Sequence, residues 1–329
     1  LDRTIFIINP ISGGGALKTW ARARPEIERR GLEFSEHFTT AAGDAARATR
    51  EALHRGAGQV VVVGGDGTLN EVVNGYLAPG GQPVNPEARL GILAAGTGSD
   101  FRKSLYRAAP QGGSRRSRSG LPGEATGLDD FHRAILAITG DRSRLIDAGS
   151  INCHDQRGAP VARFFINVVS FGLGGDVSRL VNGWRGRLPT WIGGRARFVA
   201  AAVGALAHYR TRTVVIRTDE SEVSVETNLL VIANGRFAGG GMMLAPHAEV
   251  DDGLFDVVVT DRASRLDVIK ELPRIRQGGY LSNPKVSSMR AAEVCLATEK
   301  PVPLDIDGES GDYAPARFTV LPSVIRLAG

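Results

Sequence analysis

Apolar and polar positions along the first hundred residues repeat with two alternating periods. Thr4–Ile8 is a short apolar run ending at Asn9-Pro10 and reads as a strand. Ala16–Arg30 follows at helical spacing, with Pro25 as the point where the helix breaks or restarts. Phe34–Phe38 reads as a second strand, and Asp44–Arg55 as a helix with Ala45, Ala48, Ala52 and Leu53 on one face. Val60–Val63 is apolar on both faces, as expected for a parallel strand covered by helices. A helix over Leu69–Leu77, a strand over Leu90–Ala94 and a further helix over Asp129–Thr139 continue the series. This β-α-β-α-β-α-β order predicts a doubly wound parallel α/β sheet.

The pattern changes near Arg144. Strand-like runs then follow one another: Leu145–Ile151, Ala162–Val169, Thr213–Thr218, Val223–Ala233, Phe255–Thr260, Glu293–Ala297, Pro303–Ile306 and Arg317–Pro322. Two helical stretches, Gly194–Tyr209 and Leu266–Gln277, interrupt them. Short strands separated by glycine-rich turns predict an antiparallel β-sandwich. The expected architecture is an α/β domain over residues 1–143 and a β-sandwich over 144–314. Residues 315–329 are expected to return to the first domain, with the active site in the cleft between the two. No internal repeat is present.

Composition sharpens this picture. A chain of 329 residues exceeds a single typical core, in keeping with two domains. Its formal net charge of +5 suits an anionic partner. Arg102, Lys103, Arg107, Arg115, Arg116 and Arg118 fall in one stretch without an intervening acid. Residues 108–127 read as a basic, Gly/Ser/Pro-rich loop, either solvated or touching an acidic membrane by charge. Nucleic acid is not an expected partner, because charge is the only feature in its favour and no recognition motif accompanies it. Two cysteines far apart form neither a disulfide framework nor a zinc site, and the six histidines have no metal-binding spacing. The longest apolar run, Phe198–Ala207, is too short to span a bilayer. No signal-peptide pattern is visible, although a start at Leu1 leaves the native N-terminus open; a cytoplasmic location is expected.

Three glycine-rich segments follow three predicted strands: Asn9-Pro10-Ile11-Ser12-Gly13-Gly14-Gly15, Gly64-Gly65-Asp66-Gly67-Thr68, and Ala94-Ala95-Gly96-Thr97-Gly98-Ser99-Asp100. Such loops let phosphate approach backbone N–H groups, aided by the positive end of a following helix. A parallel sheet would gather them at one edge. Neither GxxxxGK[ST] nor a GxGxxG opening the first helix is present, so the chain does not look like a P-loop NTPase or a nicotinamide-dependent dehydrogenase.

The segment GGDGTLNEVVNG, preceded by NPISGGG and followed by GTGSDF, resembles the diacylglycerol-kinase catalytic family of lipid kinases, closest to its bacterial soluble members. The blocks FFINVVSFGLGGDV, NGRFAGGGMMLAP, DDGLFDV and DIDGE match that family in order, whereas GGDGT alone would also admit NAD and sphingosine kinases. The resemblance implies ATP- and Mg²⁺-dependent phosphoryl transfer to a hydroxyl of a diacylglycerol-like, sphingoid or glycerolipid acceptor. It also implies a protein peripheral to the membrane, meeting its lipid at the surface without a transmembrane anchor, and it is compatible with a homodimer. A kinase of a soluble acceptor such as NAD, and a non-catalytic lipid- or nucleotide-binding regulator, are the alternatives.

The same resemblance implies site residues. Asn9, Pro10, Ser12, Gly13, Thr40, Gly64, Gly65, Asp66, Gly67, Thr68, Leu69, Asn70 and Thr97 fall on ATP-binding positions. Thr40 also reads as a helix N-terminal hydroxyl. Asp66 would hold Mg²⁺ or take a proton. In DIDGE, Asp307 would be the proton acceptor, with Gly308 presenting Glu309; the choice between Asp66 and Asp307 stays open, as does an ordinary polar turn. A structural Mg²⁺ would take the Asp252 carboxylate and the Glu249 and Leu254 carbonyls, unless Asp252-Gly253 is simply a hairpin turn. Asp100 would face the acceptor or a second metal, or cap the helix starting at Phe101. Asp147 falls where the family has an acid near the cleft. The family's GTGND reads GTGSD here, with Ser99 in place of asparagine. The aromatic and arginine residues of 171–175 and 184–191 suit a membrane interface or a loop with buried tryptophans.

Overall fold

The computed structural model describes residues 3–12, 15–95, 99–106, 129–172 and 211–329. The expectations for Gly13, Thr97, the basic stretch 108–127, the helix at 194–209 and the aromatic–arginine stretches beyond Gly172 lie outside those residues.

Strands β1 (Thr4–Ile8), β2 (Phe34–Phe38), β3 (Gln59–Gly64) and β4 (Arg89–Ala94) form a parallel sheet in the order β2-β1-β3-β4. Alternation along β1 decides which helix packs where. Phe6 and Ile8 meet Trp20 and Ile27 of α1 (Ala16–Arg29) and Ile135 and Ile138, which lie on a helix over Asp130–Thr139. Ile7 points to the other face, into a cluster with Leu53 of α2 (Asp44–His54) and Leu69, Val72 and Tyr76 of α3 (Asp66–Tyr76). Helix α4 (Asp100–Tyr106) adds Phe101 to that cluster, and α5 is the Asp130–Thr139 helix. All of β3 is buried, which is why it reads as an unbroken apolar run; each such aliphatic side chain contributes about 1.5–3 kcal/mol. The sheet is therefore covered on both faces. The pairings Ile8↔Val63 and Gly64↔Ala94 level the strand ends, so the glycine-rich segments emerge at one edge.

The second half is antiparallel. It comprises β5 (Ser143–Asp155), β6 (Pro160–Phe165), β7 (Val168–Gly172), β8 (Arg212–Thr218), β9 (Glu222–Ala233) and a small hairpin of β10 (Phe237–Ala238) with β11 (Met242–Met243). Then come β12 (Phe255–Asp261), α6 (Arg265–Ile275), β13 (Val286–Ala291), β14 (Glu293–Thr298), β15 (Val302–Ile306) and β16 (Glu309–Ala328). Phe165, Phe171, Ile232, Phe255 and Phe318 build its core, Phe165 stacking on Phe255 with ring centroids 5.4 Å apart.

Three departures from the sequence expectation bear on the site. The single strand expected over Ala162–Val169 is two, β6 and β7, because the N–H groups of Ile166, Asn167 and Val168 turn toward a carboxylate. Helix α3 starts at Asp66 instead of Leu69, so the GGDGT segment is loop only as far as Gly65. Strand β16 runs for 20 residues where only Arg317–Pro322 was expected, with register shifts that absorb its prolines and glycine. It starts in the sandwich and ends beside β4, where Leu327 pairs with Leu90. Among the described residues, no helix is long and apolar enough to cross a membrane.

Candidate active site

Hydrogen bonds draw the glycine-rich segments together. Ser12 Oγ accepts from the Gly65 N–H at 2.9 Å and donates to the Ala95 carbonyl at 3.5 Å. The Ala95 N–H donates to the Gly64 carbonyl at 2.8 Å. Asn9 Nδ2 donates to Thr68 Oγ1 at 3.0 Å, and Asn9 Oδ1 accepts from the Ile11 N–H beyond Pro10. Position 64 requires glycine, since a Cβ there would lie 2.7 Å from Thr68 Oγ1. The first N–H groups of α3, at Asp66, Gly67 and Thr68, have no intrahelical acceptor, and no side chain caps the helix at Gly65. They form a helix N-terminus of the kind that binds phosphate.

Three of the residues expected at the nucleotide have other contacts. Leu69 is buried in the α/β core, and its N–H is bonded to the Gly65 carbonyl within the helix. Neither its side chain nor its N–H is available to a nucleotide. Thr40 donates its N–H and its hydroxyl to Asp44 at 2.9 and 3.2 Å, the helix N-terminal role. Those bonds, with Arg47 and His37, hold the Asp44 carboxyl well below the usual carboxylate range. Asn70 is buried and donates through Nδ2 to the Phe164 carbonyl at 3.1 Å and to Asp307 at 2.9 Å. Asn74, one turn later, donates to the same carbonyl and accepts from the Phe164 N–H at 3.0 Å. The two asparagines fasten α3 to β6 and hence the α/β sheet to the sandwich. Their i, i+4 spacing in the quoted motif was the available signal for Asn74.

Four carboxylates separate by environment. Asp66 opens α3, and its oxygens accept the N–H groups of Asp100 and Phe101 at 3.1 and 3.3 Å. Asp66, not Asp100, is therefore the acid that caps α4. Burial pushes its carboxyl up to about 6, helped by the charges of Asp100 and Asp307 and opposed by the two N–H bonds. Asp100 is buried and held by Lys103 Nζ at 2.6 Å and the Gly240 N–H at 2.7 Å. Asp100 is thus already neutralised by an ammonium, whereas Asp66, with one N–H bond on each oxygen, keeps lone pairs that fit a hard cation such as Mg²⁺ beside phosphate.

Asp307 differs. Asp307-Gly308 is the two-residue turn of the β15–β16 hairpin, with φ of 51° and 89°, the geometry for which Asp-Gly is favoured. The Asp307 carboxylate accepts four bonds: from Asn70, Ile166 and Val168 at 2.9 Å and from Asn167 at 3.0 Å. Burial raises its pKa while the four donors favour the ionised form. With every lone pair engaged, it has none left for a substrate proton. The turn instead carries Glu309 to the start of α3, where a Cβ added to Gly67 would meet Glu309 Oε1 at 3.0 Å. Among the described residues, no bond comparable to those on Asp307 consumes the Glu309 oxygens.

Asp147 does not join this group. It is buried, and both oxygens are taken by the N–H groups of Gly253 and Ser323 at 2.7 Å. It braces the 251–253 turn instead of facing a substrate. In that turn Asp252 accepts the Leu254 N–H at 3.1 Å and pairs with Arg290. Arg290, cross-strand partner of Asp256, also reaches the Asp256 carboxyl at 3.5 Å. Burial pushes Asp256 up to about 6. The guanidinium thus holds the carboxylate expected to bind a structural cation, and the residues as arranged do not fit a Mg²⁺ ion there.

A helix start suited to phosphate beside buried acids, between an α/β sheet and a β-sandwich, is a site of the class that handles phosphoryl groups, and comparison with known proteins gives that class as a kinase. Residues 3–151 match the family described as diacylglycerol kinase catalytic domain, and residues 167–329 the YegS C-terminal NAD kinase beta sandwich-like domain. A diacylglycerol kinase of Bacillus subtilis (strain 168) is 28% identical over 322 residues, 98% of this chain and 94% of that protein. One of Staphylococcus carnosus (strain TM300) is 28% identical over 329 residues, 99% of this chain and 94% of that protein. A solved structure of a diacylglycerol kinase from Bacillus anthracis str. Sterne superposes with a TM-score of 0.66 at 19% identity, covering 99% and 96% of the two chains, and shows the shared fold. The chain thus matches a diacylglycerol kinase catalytic domain followed by a YegS-type C-terminal domain, and it is a kinase enzyme.

Proposed function

We propose that this enzyme is an ATP- and Mg²⁺-dependent lipid kinase that transfers the γ-phosphoryl group to a hydroxyl of a diacylglycerol-like, sphingoid or glycerolipid acceptor. The observation that carries the reading is the approach of Glu309 to Gly67 at the first turn of α3. A proton acceptor and a phosphate-binding helix end then share one site. The names of the relatives point to diacylglycerol as the acceptor class.

Asn9, Ser12, Gly64, Gly65, Gly67 and Thr68 shape the phosphate cradle, with the α3 N–H groups directed at the transferring group. Asp66 would hold Mg²⁺, which when bound neutralises charge on the phosphates. Glu309 takes the acceptor hydroxyl proton as the new oxygen–phosphorus bond forms and the bond to the ADP leaving group breaks. Asp307 positions Glu309 and locks Ile166–Val168 in place. In this reading the enzyme works in the cytoplasm, peripheral to a membrane.

The test is radiolabel transfer from ATP to a panel of lipids in mixed micelles with Mg²⁺. Wild type should label a diacylglycerol-class lipid, and Glu309→Gln should lose at least about a hundredfold in rate, as for a general base, while still binding ATP. Label passing to NAD and to no lipid would refute the acceptor assignment. Full activity in Glu309→Gln would refute the proton acceptor.

A further inference from the structure

Three of the eight large apolar side chains that are exposed among the described residues lie on α6: Leu266, Ile269 and Leu272, at 66%, 49% and 41% exposure. Helical rotation of about 100° per residue places them on one arc of roughly 160° together with Arg265, Lys270 and Arg276. Every charge on that arc is positive. No ion pair of these three cations occurs among the described residues. The acids of the helix face elsewhere. Asp267 accepts from Ser264 and from Lys285 Nζ at 2.6 Å, and Glu271 from Asn283 and Arg274 at 3.0 Å. The inner side is anchored through buried Ile275. Leucine and isoleucine interleaved with unpaired cations suit the headgroup boundary of an anionic bilayer, where apolar side chains insert and each cation meets lipid phosphate.

The segment just beyond the helix is tied to the catalytic cleft through one hairpin. Gly278, just beyond it, packs so tightly on Pro246 and Met243 that a Cβ would approach them to 2.5 and 3.0 Å. That segment forms the β10–β11 hairpin, whose Gly240 N–H binds Asp100. We propose that the outward face of α6 is the surface on which this enzyme docks to an anionic lipid membrane, presenting the cleft to the bilayer. The inference deepens the lipid-kinase reading and rests on it for its purpose, but not for its test.

The test is co-sedimentation without nucleotide, using vesicles of equal phosphatidylglycerol and phosphatidylcholine, and of phosphatidylcholine alone. Wild type should bind the anionic vesicles and release them at high salt. Arg265→Ala/Lys270→Ala should bind on the order of twentyfold more weakly, about fivefold per cation. Leu266→Ser/Ile269→Ser/Leu272→Ser should bind more weakly as well. Both variants should keep wild-type transfer to lipid in detergent micelles while losing it on vesicles. Equal vesicle binding by wild type and variants overturns the proposal. So does a wild-type dimer, seen by analytical ultracentrifugation, that the triple substitution splits with vesicle binding unchanged, since a second copy then covers this face. Vesicle binding lost in the variants, with no lipid labelled by wild type in micelles, upholds the docking surface and removes the lipid-acceptor reading alone.

Discussion

Replacing Asp66 by asparagine should stabilise the protein while disabling it. Asp66 sits between Asp100 and Asp307, and burial with these charges lifts its carboxyl from 3.8 to about 6. A shift of about two units corresponds to about 3 kcal/mol against the folded chain once Asp66 is ionised in the absence of a cation. Asparagine removes that charge but turns an amide group toward one of the two N–H donors of α4, a loss of about 1 kcal/mol. The balance is about 2 kcal/mol in favour of the variant, a rise of a few degrees in Tm. The sign with pH follows directly. An acid whose folded pKa exceeds its unfolded value binds protons more readily when folded. The wild-type penalty is thus full above pH 6 and fades as the pH falls toward 3.8. Calorimetric melts of both proteins without Mg²⁺ should show the variant ahead at neutral pH and the gap closing below pH 6. A variant less stable than wild type at neutral pH, or a gap indifferent to pH, would refute the reasoning.

Asp307→Asn should destabilise by about 3–5 kcal/mol in urea unfolding, because its amide faces backbone donors that need an acceptor; loss of turnover with unchanged stability would instead restore Asp307 as the base. Gly64→Ala should push Thr68 away and break its bond to Asn9, raising the KM for ATP with the fold intact, as followed by steady-state kinetics and circular dichroism. Arg290→Gln should cost about 1–3 kcal/mol and make the Tm respond to added Mg²⁺, since Asp252 and Asp256 lose their cation; a Tm equal to that of wild type and indifferent to Mg²⁺ would show that the arginine does not fill that role.

Much of the first domain was legible because β1 and β3 are buried almost throughout and its helices are amphipathic, so period and burial coincide there, while edge strand β2 is only half-buried. What escaped was set by contacts distant in sequence. The break between β6 and β7 comes from a carboxylate more than a hundred residues away, and no local pattern marks it. The early start of α3 was hidden because Gly65, Asp66 and Gly67 carry turn chemistry, while the helix is held by Val72, Val73 and Tyr76. Strand β16 contains Gly311, Pro315 and Pro322, which argue against a strand until its long pairing with β5 is seen. For the site, spacing marked the acids but not their division of labour: only hydrogen-bond partners separate saturated Asp307 and Asp147 from Glu309.

The return of β16 has a consequence for how the chain matures on the ribosome. Strand β4 gains its outer neighbour only when Leu327 arrives, 237 residues after Leu90 (327 − 90). At roughly 5–20 residues per second, that edge of the nascent first domain stays open for about 10–50 seconds. During translation it is a free template for strand addition by another chain. The segment around Leu327 therefore closes the first domain, and deleting it should appear as aggregation during expression.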